Sequence, residues 1–369
     1  MRVIGLVAEY NPFHTGHAYQ IKKIKELYPD SLIICILGGN FTQRGDISIL
    51  PKITKGKIAL DENIDTTLEL PTLYTVQSAD IFAYQSIKIL NKMHIDTLVF
   101  GSECNDITLL KSLAAKQEED SYQKEVKSYL EEGLNYPTAL AKALKVEFDF
   151  NSNDLLGISY IKAVNKINPN IQIQTIKRTN NYLDITSNEK IISASNIRNK
   201  FLNNELITKY TSYSNYLIKP DYSLYFNILK TKIMTDSNLN SYLDVSEGLD
   251  FLLKKVIIKC QSLEELINKI KTKRYTYNRI NRMLIHILLG IKKDYPLEDY
   301  LRISAYNQKG KKYIKDQNIK ENYKHTTCYK YELISTSIYD VLTNSSFYQE
   351  EIKNKPFYKE KEVILTTKQ

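Results

Sequence analysis

The strongest constraint on the fold of this chain is an alternation. Four short β-rich runs, "RVIGLVA", "SLIICILGG", "TTLELP" and "DTLVFGSE", end in glycine or turn residues and are separated by stretches of helical composition. Between the last two, "SADIFAYQSIKILNKM" puts Ile81, Ala83, Tyr84, Ile87 and Leu90 near helical spacing, with Ser78 or Asp80 as a candidate N-cap. Residues 106–147 read as helical and acidic, "LLGISYIKAVNKI" adds a helix, "IQIQTIKR" alternates as a fifth strand, and "ISASNIRNKFLNN" opens another helix. The pattern predicts right-handed βαβ units, a parallel sheet covered on both faces, and a ligand site at the carboxyl ends of its strands.

One stretch has residue types set by chemistry rather than packing. "EYNPFHTGH", Glu9 to His17, follows the first predicted strand and holds two of the chain's five histidines. At that place a strand ends and a helix begins, so free backbone N–H groups and the positive helix end favour an anion. Pro12 stiffens the loop, and Gly16 admits a ligand close to the backbone. The imidazoles of His14 and His17 can donate to phosphate oxygens whether neutral or charged, and can gain positive character beside a polyphosphate. The other readings are a zinc pair or plain loop histidines. Zinc needs further ligands, and His94, His286 and His325 offer no companion motif.

With 369 residues, 43% of them hydrophobic, the chain exceeds one average domain and can bury a large core. It contains no apolar run approaching the ~18 residues of a membrane span, and "MRVIGLVAEYNP" reaches Glu9 too early for a signal peptide. The expectation is a cytoplasmic protein with no membrane partner. Cys35, Cys104, Cys260 and Cys328 lie far apart and read as ordinary buried or half-buried thiols.

The charge is asymmetric. Residues 1–150 carry 16 basic and 20 acidic side chains, a net of −4, whereas residues 151–369 carry 35 and 22, a net of +13. Such a field points to a polyanion partner. After about residue 205 strand signals fade, and the tail from Lys309 is poorly patterned apart from "YELISTSIYDVL". Within "IKTKRYTYNRINRMLIHILLGI", Ile280, Leu284, Ile287, Leu288 and Ile291 form a packing face. Arg279, Arg282 and His286 fall on another, read as free to bind. With Lys269, Lys271, Lys273 and Arg274 upstream and Tyr275 and Tyr277 interleaved, the stretch combines phosphate-neutralising charge with rings able to stack on unpaired bases. A solvated amphipathic helix is the plainer reading.

"AEYNPFHTGH" resembles the H-x-G-H signature of the Rossmann-like nucleotidyltransferase superfamily, and "ISASNIR" (Ile192 to Arg198) is similar to its I-S-S-T-x-I-R element. There Ala194 stands at a serine position and Ser195 at a threonine position. "GNFTQRGD", "LELP", "FGSE", "SNDLLGISYIKA", "IKR", "VSEGLDFLL" and "IKTKRYTYNRINRMLIHILL" extend the likeness over nearly the whole chain, to the bacterial tRNA(Met) cytidine acetate ligase family.

The resemblance implies an enzyme that uses ATP and acetate to make acetyladenylate, then acetylates the wobble cytidine of elongator tRNA(Met). It implies that Val7, Ala8, Glu9, Tyr10, Asn11, Pro12, Phe13, His14, Thr15, Gly16, His17 and Gln20 wrap ATP, with His14 and His17 on its phosphates. Gly101, Asn153, Arg178 and Thr179 complete the nucleotide pocket, and Ser195 and Arg198 hold the triphosphate. From the basic helix, Lys271, Lys273, Arg274, Arg279 and Arg282 are the tRNA-binding candidates. The expected fold is α/β: a Rossmann-like parallel sheet over 1–204, then a mainly α-helical basic domain over 205–369. Mg2+ can accompany the triphosphate, and no carboxylate cluster names a metal site.

"GGNFTQRGD" reads as a mobile polar loop, either a lid over the reactive intermediate or a plain surface loop. Two further functions remain open. An adenylyltransferase acting on a small cofactor precursor would not need the basic second half, and a non-catalytic RNA-binding protein would not need both histidines.

Overall fold

The computed structural model describes residues 1–134, 136–144, 151–178, 192–246, 248–272, 275–353, 356 and 358–359. In chain order the first half runs β1 (Val3–Ala8), α1 (Thr15–Leu27), β2 (Leu32–Gly38), α2 (Lys52–Asp61), β3 (Thr66–Leu70), α3 (Thr72–Thr75), α4 (Ala79–Asn91) and β4 (Thr97–Ser102). It continues with α5 (Ile107–Gln117), α6 (Asp120–Glu131), α7 (Tyr136–Leu144), α8 (Ser152–Ile167), β5 (Gln172–Lys177) and α9 (Ala194–Leu202). The second half adds α10 (Tyr222–Thr235), α11 (Leu249–Ile257), α12 (Leu263–Ile270), α13 (Tyr277–Leu289), β6 (Ile303–Tyr306), α14 (Gln308–Asp316), α15 (Thr327–Thr343), α16 (Tyr348–Glu351) and β7 (Tyr358–Lys359).

All five strands expected from the sequence form, and they pair in parallel in the order β5-β4-β1-β2-β3. Both faces are covered, which β2 shows residue by residue. Leu32, Ile34 and Ile36 enter the cluster packed by α4 and α8, whereas Ile33, Cys35 and Leu37 enter the one packed by α1 and α2. A period of two with apolar residues at every position is what a buried parallel strand requires. The chain moves from β1 through β2 to β3 in one direction, then crosses back so that β4 and β5 lie on the other side of β1. That reversal opens a crevice at the carboxyl ends of β1 and β4.

The second half is mainly helical but does not stand apart. β6 pairs antiparallel with β3 and carries β7 on its far side, so the sheet has seven strands. The fading of strand signals after 205 missed this addition because β6 has only four residues, "ISAY". One apolar cluster continues from the sheet residues Leu70 and Leu98 to Leu229, Leu253, Leu266 and Leu284 of α10 to α13.

A buried ionic cluster joins the halves at the same edge. Lys52 of α2 contacts Glu69 at 3.0 Å, Glu332 at 2.6 Å and Glu351 at 2.8 Å. Arg302 pairs with Glu69 at 3.3 Å and with Glu351. Burial alone would raise Glu69, but Arg302 and Lys52 outweigh it and hold the carboxyl down at about 2. Burial dominates at Glu332 and pushes its carboxyl up despite Lys52, which suits a cluster of two cations and three carboxyls.

Candidate active site

A cavity of about 490 Å³ opens at the switch point. That is the size range of small-molecule sites. Its wall includes Arg44, Lys162, Arg178, Arg198, Arg279 and Arg282 but only three carboxylates, Glu9, Asp46 and Asp80. Six cations against three anions favour an anionic ligand.

The floor is the turn after β1. Tyr10 sits in the left-handed region with φ 46° and is buried, its ring 4.8 Å from that of His17. His14 is the N-cap of α1: its Nδ1 accepts the N–H of Gly16 at 3.0 Å, and the Nδ1 of His17 accepts the N–H of His14 at 3.3 Å. A backbone N–H can only donate, so each Nδ1 must be the bare acceptor nitrogen. Each ring therefore carries its proton on Nε2 and has one N–H left to offer. Burial, followed by the nearby Arg178 and Arg198, pushes His14 down to about 3; burial, His14 and Arg178 lower His17 too. Both rings are neutral donors at pH 7.

The β4 and β5 side is assembled by Asp154, fully buried in the first turn of α8. It accepts from Ser102 Oγ and from the backbone N–H of Glu103 (3.0 Å) and Cys104 (3.1 Å). The turn after β4 is thereby tied to the helix start. Asn153, beside it, donates from Nδ2 to Glu103 Oε1, so it is no cap; Asn151 is the N-cap of α8. Arg178 lies 3.5 Å from the same Glu103 oxygen, and a Cβ on Gly101 would come within 3.3 Å of its Cγ. Gly101, Asn153 and Arg178, distant in sequence, thus meet on one wall. Arg198, one turn into α9, donates to the Asn11 carbonyl at 2.9 Å and to Ser195 Oγ at 3.1 Å.

The predicted residues divide as follows. Val7, Ala8, Glu9, Tyr10, Asn11, His14, His17, Gln20, Gly101, Asn153, Arg178 and Arg198 line the cavity. Phe13 instead packs its ring against Tyr10 and Tyr213, Pro12 is buried, and the backbone N–H of Thr15 donates to Tyr210 O. Gly16 serves through the N–H that His14 holds, and Ser195 through Arg198. Thr179, Lys273 and Arg274 lie outside the described residues.

Two expectations are corrected. The 38–46 loop is a wall of the cavity, not a plain surface loop: Asn40, Phe41 and Thr42 are buried, and Thr42, Gln43, Arg44 and Asp46 line the cavity. Lys55, pushed down to about 7 by burial, donates to the Gly38 and Gly39 carbonyls at 3.0 and 2.7 Å. The Gln43 N–H donates to Glu9 at 2.6 Å, and its amide donates to Gln77 O at 2.8 Å. Burial raises the Glu9 carboxyl.

The second correction concerns α13. The face with Arg279, Arg282 and His286 is not open. His286 is fully buried, its Nε2 2.7 Å from Val76 O, and both arginines line the cavity. The helix reaches the site because Gly45, with φ 80°, has no Cβ; one there would lie 2.4 Å from the N of Arg282. Tyr275 is also buried, under the Arg279 guanidinium at 4.8 Å. Tyr277 is 51% exposed and Lys271 is exposed.

Sequence reasoning missed Asp154 and the α4–α8 wall, where Asp80 holds Ser159 and Lys162, each at 2.8 Å. The signal for Asp154 was its place after Asn153 at a helix start. Among the described residues no group of three or more His, Cys, Asp or Glu could hold a metal ion, and no helix is long and apolar enough to cross a membrane.

The strand order, the crevice at its reversal and two imidazoles capping the first helix define a nucleotide-binding enzyme of the nucleotidyl transferase class. The family model HIGH Nucleotidyl Transferase matches residues 1–360. The chain is 36% identical over 352 residues to the tRNA(Met) cytidine acetate ligase of Caldicellulosiruptor saccharolyticus, covering 89% of this chain and 87% of that one. It is 35% identical over 390 residues to the protein of that name from Clostridium perfringens, covering 94% and 96%. It superposes with a TM-score of 0.82 and 25% identity on the crystal structure of Thermotoga maritima TmcAL bound with alpha-thio ATP, covering 96% and 99%. The chain belongs to the HIGH nucleotidyl transferase family and, within it, to the tRNA(Met) cytidine acetate ligases.

Proposed function

We propose that this chain is an ATP-dependent ligase that joins acetate to the wobble cytidine of elongator tRNA(Met), giving N4-acetylcytidine in the cytoplasm. In the first step an acetate oxygen attacks the α-phosphate of ATP, and pyrophosphate leaves. In the second the cytidine N4 amine attacks the acetyl carbon of acetyladenylate, AMP leaves and the amine gives up a proton. The observation that carries this reading is that one cavity receives both His14, His17, Arg178 and Arg198 from the sheet half and Arg279 and Arg282 from the basic half.

His14 and His17 offer Nε2–H donors to the departing pyrophosphate, and Arg178 and Arg198 neutralise the triphosphate. Fixed donors in a buried site stabilise developing charge without reorganisation. Gly101 and Asn153 border the nucleoside, and the pinned 38–46 wall keeps water from the adenylate. Residues 205–369 bind the tRNA: Arg279 takes a phosphate at the cavity mouth, exposed Tyr277 stacks on an unpaired base, and Lys271 meets the backbone beyond. Lys273 and Arg274 belong to the same stretch. Mg2+ enters with ATP as counter-ion of the triphosphate, and no step is assigned to it.

The test is mass spectrometry of nucleosides from tRNA incubated with the protein, ATP and isotopically labelled acetate. Labelled N4-acetylcytidine confined to tRNA(Met) supports the reading. Its absence, with ATP–pyrophosphate exchange independent of acetate, would refute it.

A further inference from the structure

Arg282 is a largely buried cation of the cavity wall. Its side chain is 13% exposed, and its only ion pair among the described residues is with Asp244, Nε to Oδ2 at 3.8 Å. That is too long for a hydrogen bond. The buried Nε has no hydrogen-bond partner among the described residues. A buried guanidinium N–H without an acceptor is costly, and a ligand that supplies one is stabilised accordingly.

The place of Arg282 says which ligand oxygen can reach it. His14, His17, Arg178 and Asn153 belong to the β1, β4 and β5 ends, the side that takes the nucleotide in the function proposed above. Arg282 stands against the loop after β2, its backbone N beside Gly45. His286, one turn further along the same helix face, touches Val76 O at 2.7 Å, and Gln43 holds Gln77 O. Ala79 and Phe82, in the first turn of α4 just after Gln77, line the cavity too. A planar cation and a small apolar wall lining one cavity match a short carboxylic acid: a carboxylate for the fork and a methyl for the wall.

We propose that Arg282 binds the carboxylate of acetate, holding one oxygen while the other faces the α-phosphate of ATP. The carboxylate–phosphorus bond forms as the bond to pyrophosphate breaks, with no proton transferred. Arg282 positions the acid and offsets the repulsion between two anions. This assignment rests on the ligase reading.

The experiment is ATP–pyrophosphate exchange at varied acetate and varied ATP, with wild type, Arg282→Lys and Arg282→Gln. In Arg282→Gln the acetate KM is expected to rise about 10- to 100-fold, the scale of a lost charged hydrogen bond, while the ATP KM stays within about 2-fold. Arg282→Lys, which keeps the charge, should fall between. An unchanged acetate KM, or an ATP KM that rises as much, overturns the assignment. If the variants do not fold, arginine modification of the wild type by phenylglyoxal, mapped by mass spectrometry, decides. Acetate alone must protect Arg282; protection by ATP alone and not by acetate refutes the proposal. Wild-type exchange indifferent to acetate would instead overturn the ligase reading itself.

Discussion

The backbone N–H of His14 points at Nδ1 of His17, 3.3 Å away, while the Nδ1 of His14 holds the N–H of Gly16. The two histidines thus build the helix start with one ring nitrogen each and face the ligand with the other. Structure and chemistry can be separated by substitution, because an asparagine carboxamide reaches only as far as Nδ1 and a glutamine carboxamide as far as Nε2. His17→Asn should keep the cap, and with it the melting temperature, yet slow ATP–pyrophosphate exchange roughly 100-fold. His17→Gln should retain more of the rate despite a weaker cap. Equal rates in the two variants would show that the Nε2 donor is not used.

The same pair makes stability depend on pH. His14 holds its proton only near pH 3, whereas in the unfolded chain it titrates near the ordinary value of about 6.5. Its stabilising effect is therefore complete above about pH 6.5 and declines as pH falls toward 3, since the unfolded chain takes a proton the native ring refuses. The slope reaches about 1.4 kcal/mol per pH unit. Glu9 and Glu332, whose carboxyls are raised, act in the opposite direction, so the comparison must be between proteins. Urea unfolding at pH 7.5 and pH 5.5 should show a smaller acid loss for His14→Asn than for wild type. Identical losses would mean that His14 is not held neutral.

Lys52 gives a stability prediction with a built-in control. Lys52→Met leaves Glu332 without its cation and weakens the hold on Glu69 and Glu351, so unfolding free energy should drop by about 3–5 kcal/mol. Glu332→Gln keeps the shape and removes the surplus negative charge, and should cost less than half of that. Denaturant midpoints compare the two. A larger loss for Glu332→Gln would refute the charge balance drawn for the cluster.

Tyr277 and Lys271 test the RNA surface. Tyr277→Ala should raise the tRNA KM by about 5- to 100-fold, the range of a lost base stack, with the loss confined to acetyl transfer. For Lys271→Ala, the logarithmic salt dependence of tRNA binding should become shallower by about one unit. Filter binding of tRNA(Met) at several salt concentrations reads the slope. An unchanged slope would remove Lys271 from the interface.

The sequence by itself determined the elements that rest on local periodicity and short motifs. The five parallel strands, the turn from Glu9 to His17 and the helix start at "ISASNIR" are each written within a few residues, because β alternation, N-caps and turn residues act over that distance. What only the tertiary structure decided is where distant segments meet. The arginine face of α13 read as open because amphipathicity shows which residues differ, not what covers them; Gly45 and Val76, more than 200 residues earlier, are the cover. The contacts of "GGNFTQRGD" were hidden for the same reason, since its partners Glu9, Lys55 and Gln77 come from three other segments. β6 and the Lys52 cluster join residues as far apart in the chain as Lys52 and Glu351, and no local pattern encodes a partner at that distance. The chemistry was legible where one loop carries it, and hidden where the fold brings single side chains from both halves to one cavity.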